Sequence, residues 1–226
     1  MPVDSQADAE ITAFRWVPPF AAGLVRDLRI RWALEEIERP YKVRLLDALH
    51  PRPDEYFAEQ PFGQVPAYRD KDVQLFESGA ILIHLGMHDE RLLPRETNDK
   101  MRAVAWLIAA LNSVEPMIFE LTTINIFANG EAWAEERKPQ VVENIRKRLA
   151  LLADALGEDE WFEGRFTIGN LMIATVLRNL RATDLVGEQP ALAAFLKRAE
   201  SRPAFQRALA DQLAVFEQHQ PEGATA

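Results

Sequence analysis

The sequence predicts an α+β protein in two parts, a small mixed sheet with helices followed by an all-helical bundle. Three observations predict it. Short apolar or alternating runs, each closed by prolines or a polar turn, fall within residues 11–76. From residue 101 onward almost every segment carries apolar residues at helical spacing. Between them Asp89 to Lys100 is charged, contains Pro94 and has little apolar bulk, the composition of a linker.

The elements follow in order. Residues 1–10 are acidic and polar and read as a tail. Ile11 to Val17 reads as a strand stopped by Pro18 and Pro19. Ala21 to Arg39 is amphipathic, with Ile30, Ala33, Leu34 and Ile37 on one face, and Pro40 ends it. Tyr41 to Leu46 partly alternates and reads as a second strand. His50 to Phe62 holds Pro51, Pro53 and Pro61, which leaves room for a short helix at most. Pro66 to Arg69 and Val73 to Phe76 form a hairpin about the turn Asp70-Lys71-Asp72, and Glu77 to His88 is a helix.

In the second part, Met101 to Ala128 reads as one long helix with a kink expected at Pro116. Glu131 to Leu156 is another, closed by Gly157, whose regular portion is expected to start at Pro139. Thr167 to Ala182, Pro190 to Glu200 and Pro203 to Gln218 complete the bundle. The expected organisation is a tail (1–10), a sheet domain (11–88), a linker (89–98), a helical domain (99–219) and a second tail (220–226).

Composition narrows the function. Of 226 residues, 26 are Lys or Arg and 35 are Asp or Glu, so the formal charge of -9 repels phosphate backbones and argues against a nucleic-acid partner. There is no cysteine, which excludes disulfides, thiolate metal sites and a cysteine nucleophile together. The longest apolar run, Ala103 to Leu111, is too short to span a bilayer, and the first ten residues make no signal peptide. A soluble, cytoplasmic protein without a membrane partner is expected. His84 and His88 lie at i, i+4 but lack a third ligand, so no metal site is expected.

The densest chemical signal is Pro61-Phe62-Gly63-Gln64-Val65-Pro66-Ala67-Tyr68, followed closely by Phe76-Glu77-Ser78-Gly79-Ala80-Ile81-Leu82. A cis Val65–Pro66 bond would turn the chain and present the Val65 N–H and C=O to an extended peptide. Glu77 and Ser78 open a helix, where exposed N–H groups and the positive dipole end attract a carboxylate. Ser78 can join those donors, and Glu77 can take an ammonium group. The plainer reading makes Glu77-Ser78 a helix cap; its conjunction with Val65-Pro66 favours a ligand with both charges and an extended backbone.

These segments resemble the glutathione S-transferase superfamily, and the resemblance spans nearly the whole chain. Arg29 to Glu36 looks like its first helix, Leu92-Leu93-Pro94 like its linker, Thr167-Ile168-Gly169-Asn170 like its helix-capping box, and Ser201 to Phe205 like its last-helix motif. The resemblance implies a thioredoxin-like N-terminal domain, an all-α C-terminal domain and a homodimer. It implies that Val65, beside Pro66, pairs with the cysteinyl backbone of glutathione. Glu77 and Ser78 would hold its γ-glutamyl end with Gln64 beside them, and His50 lies where the glycyl carboxylate is often met. In the capping box, Thr167 is expected to accept from the Asn170 N–H while Asn170 reaches back. The family more often has Asp at that last position, so a weaker cap is expected.

One departure concerns the chemistry. The family usually activates the thiol with a Tyr, Ser or Cys near the first strand, but Trp16 to Gly23 offers no hydroxyl or thiol. The substitutes are main-chain N–H groups at a helix start around Phe20 to Gly23, the indole of Trp16, Arg15, Arg26, and the cation of Arg178. For Arg178 a guanidinium that snorkels to solvent or bridges to a carboxylate is the favoured reading, and for Arg26 a solvated helix face is an equal competitor. Trp106, Met117, Phe119 and Phe127 are candidates for an apolar second-substrate pocket, or for core and dimer contacts. The expected activity is transfer of glutathione, as co-substrate, to a small hydrophobic electrophile. The alternatives are a non-catalytic glutathione- or ligand-binding protein, and a glutathione-dependent peroxidase or disulfide reductase.

Overall fold

The computed structural model describes residues 3–221. In chain order it contains β1 (Ala9–Phe14), α1 (Asp27–Glu36), β2 (Tyr41–Leu46), a 3₁₀ turn (Asp54–Ala58), β3 (Ala67–Arg69), β4 (Gln74–Phe76) and α2 (Ser78–His88). Then come α3 (Thr97–Ala109), α4 (Glu115–Thr122), α5 (Ala132–Leu156), α6 (Ile168–Leu177), α7 (Pro190–Glu200) and α8 (Pro203–Gln218). The chain divides into two compact units. The first runs to Leu92 and takes in the segment from Arg202 onward; the second is Leu93–Ser201. The last helix, expected in the helical domain, therefore belongs to the sheet-bearing unit.

In the first unit the strands lie in the order β2-β1-β3-β4. β1 and β2 are parallel, with Ile11 opposite Val43, and α1 is their crossover. β3 runs antiparallel to β1, with Tyr68 opposite Ile11, and β4 antiparallel to β3. This is the thioredoxin-like arrangement. The turn between β3 and β4 is closed by Asp70, whose carboxylate accepts from the Asp72 and Val73 N–H groups at 2.9 and 3.0 Å. Arg39, Tyr68 and those main-chain donors hold the Asp70 carboxyl well below its ordinary range despite its burial.

Two expectations at the chain start are corrected. The tail does not extend to residue 10: β1 begins at Ala9, Val3 bridges to Tyr41, and the Asp4 N–H donates to the Tyr41 carbonyl at 2.8 Å. Of the expected tails, residues 1–2 and 222–226 lie outside the described residues. The first helix begins at Asp27, not Ala21. Residues 18–24 are turns in which Ala21, Ala22 and Leu24 donate to Pro18, Pro19 and Ala21, with Gly23 at a φ of 76°.

All nine residues from Asp27 to Glu35 of α1 are buried. Trp32 packs edge-on against Phe205 of α8 at 4.9 Å. The seam between these helices is ionic. Arg31 pairs with Asp27 at 2.7 Å, Gln212 donates to the same carboxylate at 2.7 Å, Arg207 pairs with Glu35 at 2.6 Å, and Arg202 grips both oxygens of Glu36 at 2.6 and 2.7 Å.

In the second unit the expected long helix is interrupted rather than kinked. Wide turns at Ala110–Val114 and Thr123–Phe127 flank α4, and Pro116 sits in the first turn of α4. Proline lacks the N–H that a continuous helix would need there. The Glu115 N–H reaches back to the Ala110 carbonyl, and the helix restarts with proline where it is tolerated. α5 does not wait for Pro139 but runs straight through it. Glu135, one turn earlier, and Pro139 are both exposed, so the carbonyl displaced by the ring faces water.

The start of α6 is wired differently from the expected box. The Thr167 side chain makes no cap hydrogen bond. Asn170 instead uses its amide nitrogen to donate to Thr167 Oγ1, Phe162 O and Arg165 O, and its oxygen to accept from the Phe162 N–H at 2.9 Å. An aspartate cannot donate to those carbonyls, so asparagine is a different brace rather than a weaker one. Gly169 lets α6 approach α3: a Cβ there would lie 2.8 Å from the Ala103 carbonyl oxygen.

One half-buried carboxylate in the first unit keeps a buried oxygen without a hydrogen bond among the described residues. Asp211 Oδ2 on α8 is buried with no hydrogen-bond partner among the described residues, and burial pushes the carboxyl above its ordinary pKa while Arg31 and Arg207 act in the opposite sense. A carboxyl raised on folding contributes its stability below the unfolded pKa and loses it as the pH rises through the folded value. Asp211→Asn is therefore expected to raise the melting temperature at pH 7, with the advantage fading as the pH falls towards 4. An equal shift at every pH in thermal melts would contradict this origin.

Candidate functional site

The β3–β4 hairpin brings the two sequence motifs together. Ala67 pairs with Phe76, so the residues just beyond that end of the ladder, Pro66 and Glu77, are neighbours although ten positions separate their motifs. The Val65–Pro66 bond is cis. The β1–β3 pairing covers Glu10 with Arg69 and Ile11 with Tyr68, and Val65 stands outside it. The Val65 side chain is buried with Leu46, Tyr56 and Ala67, while its main-chain N–H and C=O take no hydrogen bond among the described residues.

Glu77 precedes the first turn of α2 with φ 69° and ψ 116°, a conformation that glycine adopts without penalty and other residues rarely. Its side chain is exposed and does not cap α2, which removes the plainer reading. Ser78 is buried, and its Oγ accepts from Nη1 of the buried Arg29 on α1 at 3.1 Å. A carboxylate-bearing residue thus occupies a strained position at the N-terminus of a helix, where the first N–H groups have no intrahelical acceptor. The arrangement can receive an ammonium on Glu77, a carboxylate at the helix start, and an extended main chain along Val65.

The other expected residues are placed as follows. Gln64 is exposed, and its carbonyl accepts from the Tyr56 hydroxyl at 2.7 Å. His50 is exposed in the loop after β2, where Nδ1 lies 3.1 Å from Asp47 Oδ2. The Leu49 N–H and then His50 hold the Asp47 carboxyl below its ordinary range. Phe20 is 45% exposed in the turns ahead of α1. The helix start that was to aim main-chain donors at Phe20 to Gly23 is not there, since α1 begins later, and the N–H groups of Ala21 and Ala22 are used within the turns. Arg178 follows α6 in the second unit and donates to the Glu200 carboxylate, the competing reading for this cation. Trp106 is held within that unit by Glu163, at 2.7 Å from its indole N–H, and by the Phe162 ring. Phe119 and Phe127 are exposed.

Four residues at the site were given no role in the sequence reading. Arg52 stacks over the Phe14 ring at 4.7 Å and donates to the carbonyls of Asp47, His50 and Gly63, fastening the His50 loop to the segment before Val65. Gly63 has a φ of 64°, and a Cβ there would lie 3.1 Å from the Phe57 ring, so both conformation and space call for glycine. Thr12 and Tyr56 reach the same segment from β1 and the 3₁₀ turn. Three prolines near Arg52 marked this stretch as irregular; nothing local pointed to Thr12.

Residues 20–86 match the family model described as the glutathione S-transferase N-terminal domain. The chain is 34% identical over 165 residues to glutathione S-transferase GstA of Escherichia coli O157:H7, covering 69% of this chain and 77% of that protein. It is 30% identical over 212 residues to glutathione S-transferase 4 of Zea mays, covering 88% and 91%. A crystal structure of a glutathione transferase family member from Pseudomonas fluorescens, with two glutathione bound, superposes with a TM-score of 0.80 at 26% identity, covering 92% of this chain and 95% of that one. The chain belongs to the glutathione S-transferase family.

Proposed function

We propose that the protein binds glutathione at the hairpin end and transfers its thiolate to a small hydrophobic electrophile. The observation that carries this reading is the hairpin register, which sets Glu77, Ser78 and the uncommitted main chain of Val65 side by side. Val65 pairs with the cysteinyl backbone in antiparallel fashion. Glu77 takes the γ-glutamyl ammonium, and Ser78 with the first N–H groups of α2 takes its carboxylate. Gln64 and the His50 loop lie towards the glycyl end. Related chains named as glutathione transferases, one crystallised with glutathione, support the assignment. The same reading suits the cytoplasm, where reduced thiols persist.

In this reaction the thiolate attacks an electrophilic carbon, the S–C bond forms as the leaving group or π bond takes the electron pair, and the thiol proton goes to solvent. The protein supplies position and charge stabilisation. With no hydroxyl in the first loop, the candidate stabilisers of the sulfur are the turn around Phe20 and the cation of Arg178. A homodimer also fits. Thr97–Phe127 is long and apolar enough to cross a bilayer by length and composition, yet 33% of its most apolar stretch is buried within the chain. Met101, Ile108, Phe119 and Ile126 stay exposed along it, and a second copy would cover them.

Glu77→Ala is expected to weaken glutathione binding by about 1.5–3 kcal/mol, the range for a hydrogen bond to a charged group. Calorimetry returning wild-type affinity would end the γ-glutamyl assignment, and a wild-type chain that binds glutathione but conjugates none of a panel of electrophiles would favour the non-catalytic alternative. Arg178→Ala is expected to raise the pKa of bound glutathione and slow conjugation at neutral pH; unchanged pH–rate profiles would leave the residue only its ion pair with Glu200. Light scattering at micromolar concentration should give twice the chain mass, and a monomer would remove the dimer.

A further inference from the structure

Three hydrogen bonds link β1, the 3₁₀ turn and the ligand-facing segment, and their direction follows from the donors present. The Ala67 N–H donates to Thr12 Oγ1 at 2.7 Å. The Tyr56 hydroxyl donates to the Gln64 carbonyl at 2.7 Å. Thr12 Oγ1 and Tyr56 Oη lie 2.8 Å apart. A phenol has one proton, and Tyr56 has given it to Gln64, so Thr12 must donate to Tyr56. The chain runs one way: Ala67 N–H to Thr12 hydroxyl, to Tyr56 hydroxyl, to Gln64 C=O. Both of its ends lie on the segment Gln64-Val65-Pro66-Ala67.

A trans peptide unit points its C=O and N–H in opposite directions. The Gln64 carbonyl and the Val65 N–H belong to one such unit. Drawing that carbonyl inward onto Tyr56 therefore turns the Val65 N–H outward. On the other side, Thr12 fixes the plane that joins Pro66 to Ala67. The Val65 carbonyl lies between two peptide planes that are each held from the interior.

We infer that Thr12 and Tyr56 are positioning residues for the thiol-bearing peptide, a hydroxyl relay that aims the Val65 main chain at the cysteinyl backbone of glutathione. The inference rests on the glutathione reading above. The relay touches neither the ligand nor the γ-glutamyl contacts; it acts through the orientation of Val65 and through polarisation of its amide. A hydrogen bond received by the Gln64 carbonyl makes the attached Val65 N–H a stronger donor. The surroundings keep the relay in place. Thr12 is 2% and Tyr56 1% exposed, so water does not compete for either hydroxyl. Burial also pushes the Tyr56 phenol above its ordinary pKa and keeps it a donor. Arg44 lies over the Tyr56 ring at 5.7 Å and is itself anchored by Glu10 and Glu59.

The test uses Tyr56→Phe, Thr12→Val, Thr12→Ser and the double variant Thr12→Val/Tyr56→Phe in the full chain. Tyr56→Phe is expected to raise the glutathione Kd and KM about tenfold, the weight of one neutral hydrogen bond, with kcat at saturating glutathione moving less. Thr12→Val should match it, and Thr12→Ser, which keeps the hydroxyl, should restore affinity. Because both residues act through one relay, the double variant should be no worse than either single change, whereas two independent packing roles would add. The nuclear magnetic resonance shift of the Val65 amide, read without ligand, should move in Tyr56→Phe and in Thr12→Val and return in Thr12→Ser. Wild-type glutathione affinity in Tyr56→Phe, additive losses in the double variant, or an unmoved Val65 amide would each overturn the relay. Failure of the wild-type chain to bind glutathione would instead overturn the parent reading and the peptide named here, and the Val65 amide would still report whether the relay orients that residue.

Discussion

The first unit depends on a helix that has almost no side facing water. Burying α1 means burying Asp27, Arg29, Arg31 and Glu35 with it, and a buried charge is tolerated only when paired and hydrogen-bonded. Two of the partners come from the far end of the chain: Gln212 on α8 meets Asp27, and Arg207 meets Glu35. Burial still drives both carboxyls above their ordinary pKa values, against the pull of Arg31 and Gln212 at Asp27 and of Arg207 at Glu35. The fourth charge faces the other way, as Arg29 donates to Ser78 at the start of α2. The same helix that needs α8 to cover it therefore sets the serine beside Glu77. This is why α8 belongs with the sheet despite following the bundle in sequence.

The strand end at Val65 poses a different problem. A main chain available to a peptide must leave its own N–H and C=O unused, yet the Val65 side chain is buried, and a buried segment with idle polar groups is costly. The chain divides the labour by residue. Gln64 and Ala67, on either side, spend one group each on Tyr56 and Thr12, and Val65 alone keeps both. Arg52 performs the same service one turn earlier through Gly63. The open edge is thus narrow, and its flanks are tied from inside as well as, at Ala67, by the pairing with Phe76.

What the sequence made legible was what local chemistry controls. The bounds of α7 and α8 coincide with the expected ones because Pro190 and Pro203 open them in the first turn. The hairpin was legible because Asp70 can close its turn alone. The start of α1 was not, since Leu24 and Leu28 continue a helical pattern through residues that the double proline and Gly23 hold in turns. Pro139 looked like a boundary because sequence shows the lost N–H but not that the displaced carbonyl is solvated. At the site, Val65, Glu77 and Ser78 stood out as motifs, whereas Thr12 and Tyr56 are 44 residues apart and Thr12 and Ala67 are 55 apart. No spacing rule reaches across such intervals, and a threonine inside a strand reads as an ordinary strand residue.

The first loop gives the proposed chemistry its character. Neither a main-chain N–H nor a guanidinium accepts a proton, so neither can act as a general base towards a thiol. Such groups work only by making the thiolate more stable than the thiol, and their effect is a lowered pKa. An ordinary thiol near pKa 8.5 is only a few per cent ionised at pH 7, so a lowering of about one unit raises the reactive fraction about eightfold. That gain is small enough for a nearby cation or dipole to supply, provided the sulfur is held beside it. In the proposed reaction the cysteinyl backbone on Val65 would hold the sulfur, so a loop without a hydroxyl would place more weight on the orientation of Val65 than a loop with one. The exposed, strained Glu77 fits the same economy of means, because an anchored γ-glutamyl end limits how far the sulfur can wander. On the proposed reading, a first loop without a hydroxyl thus moves the burden of catalysis from the activating group to the residues that aim the peptide.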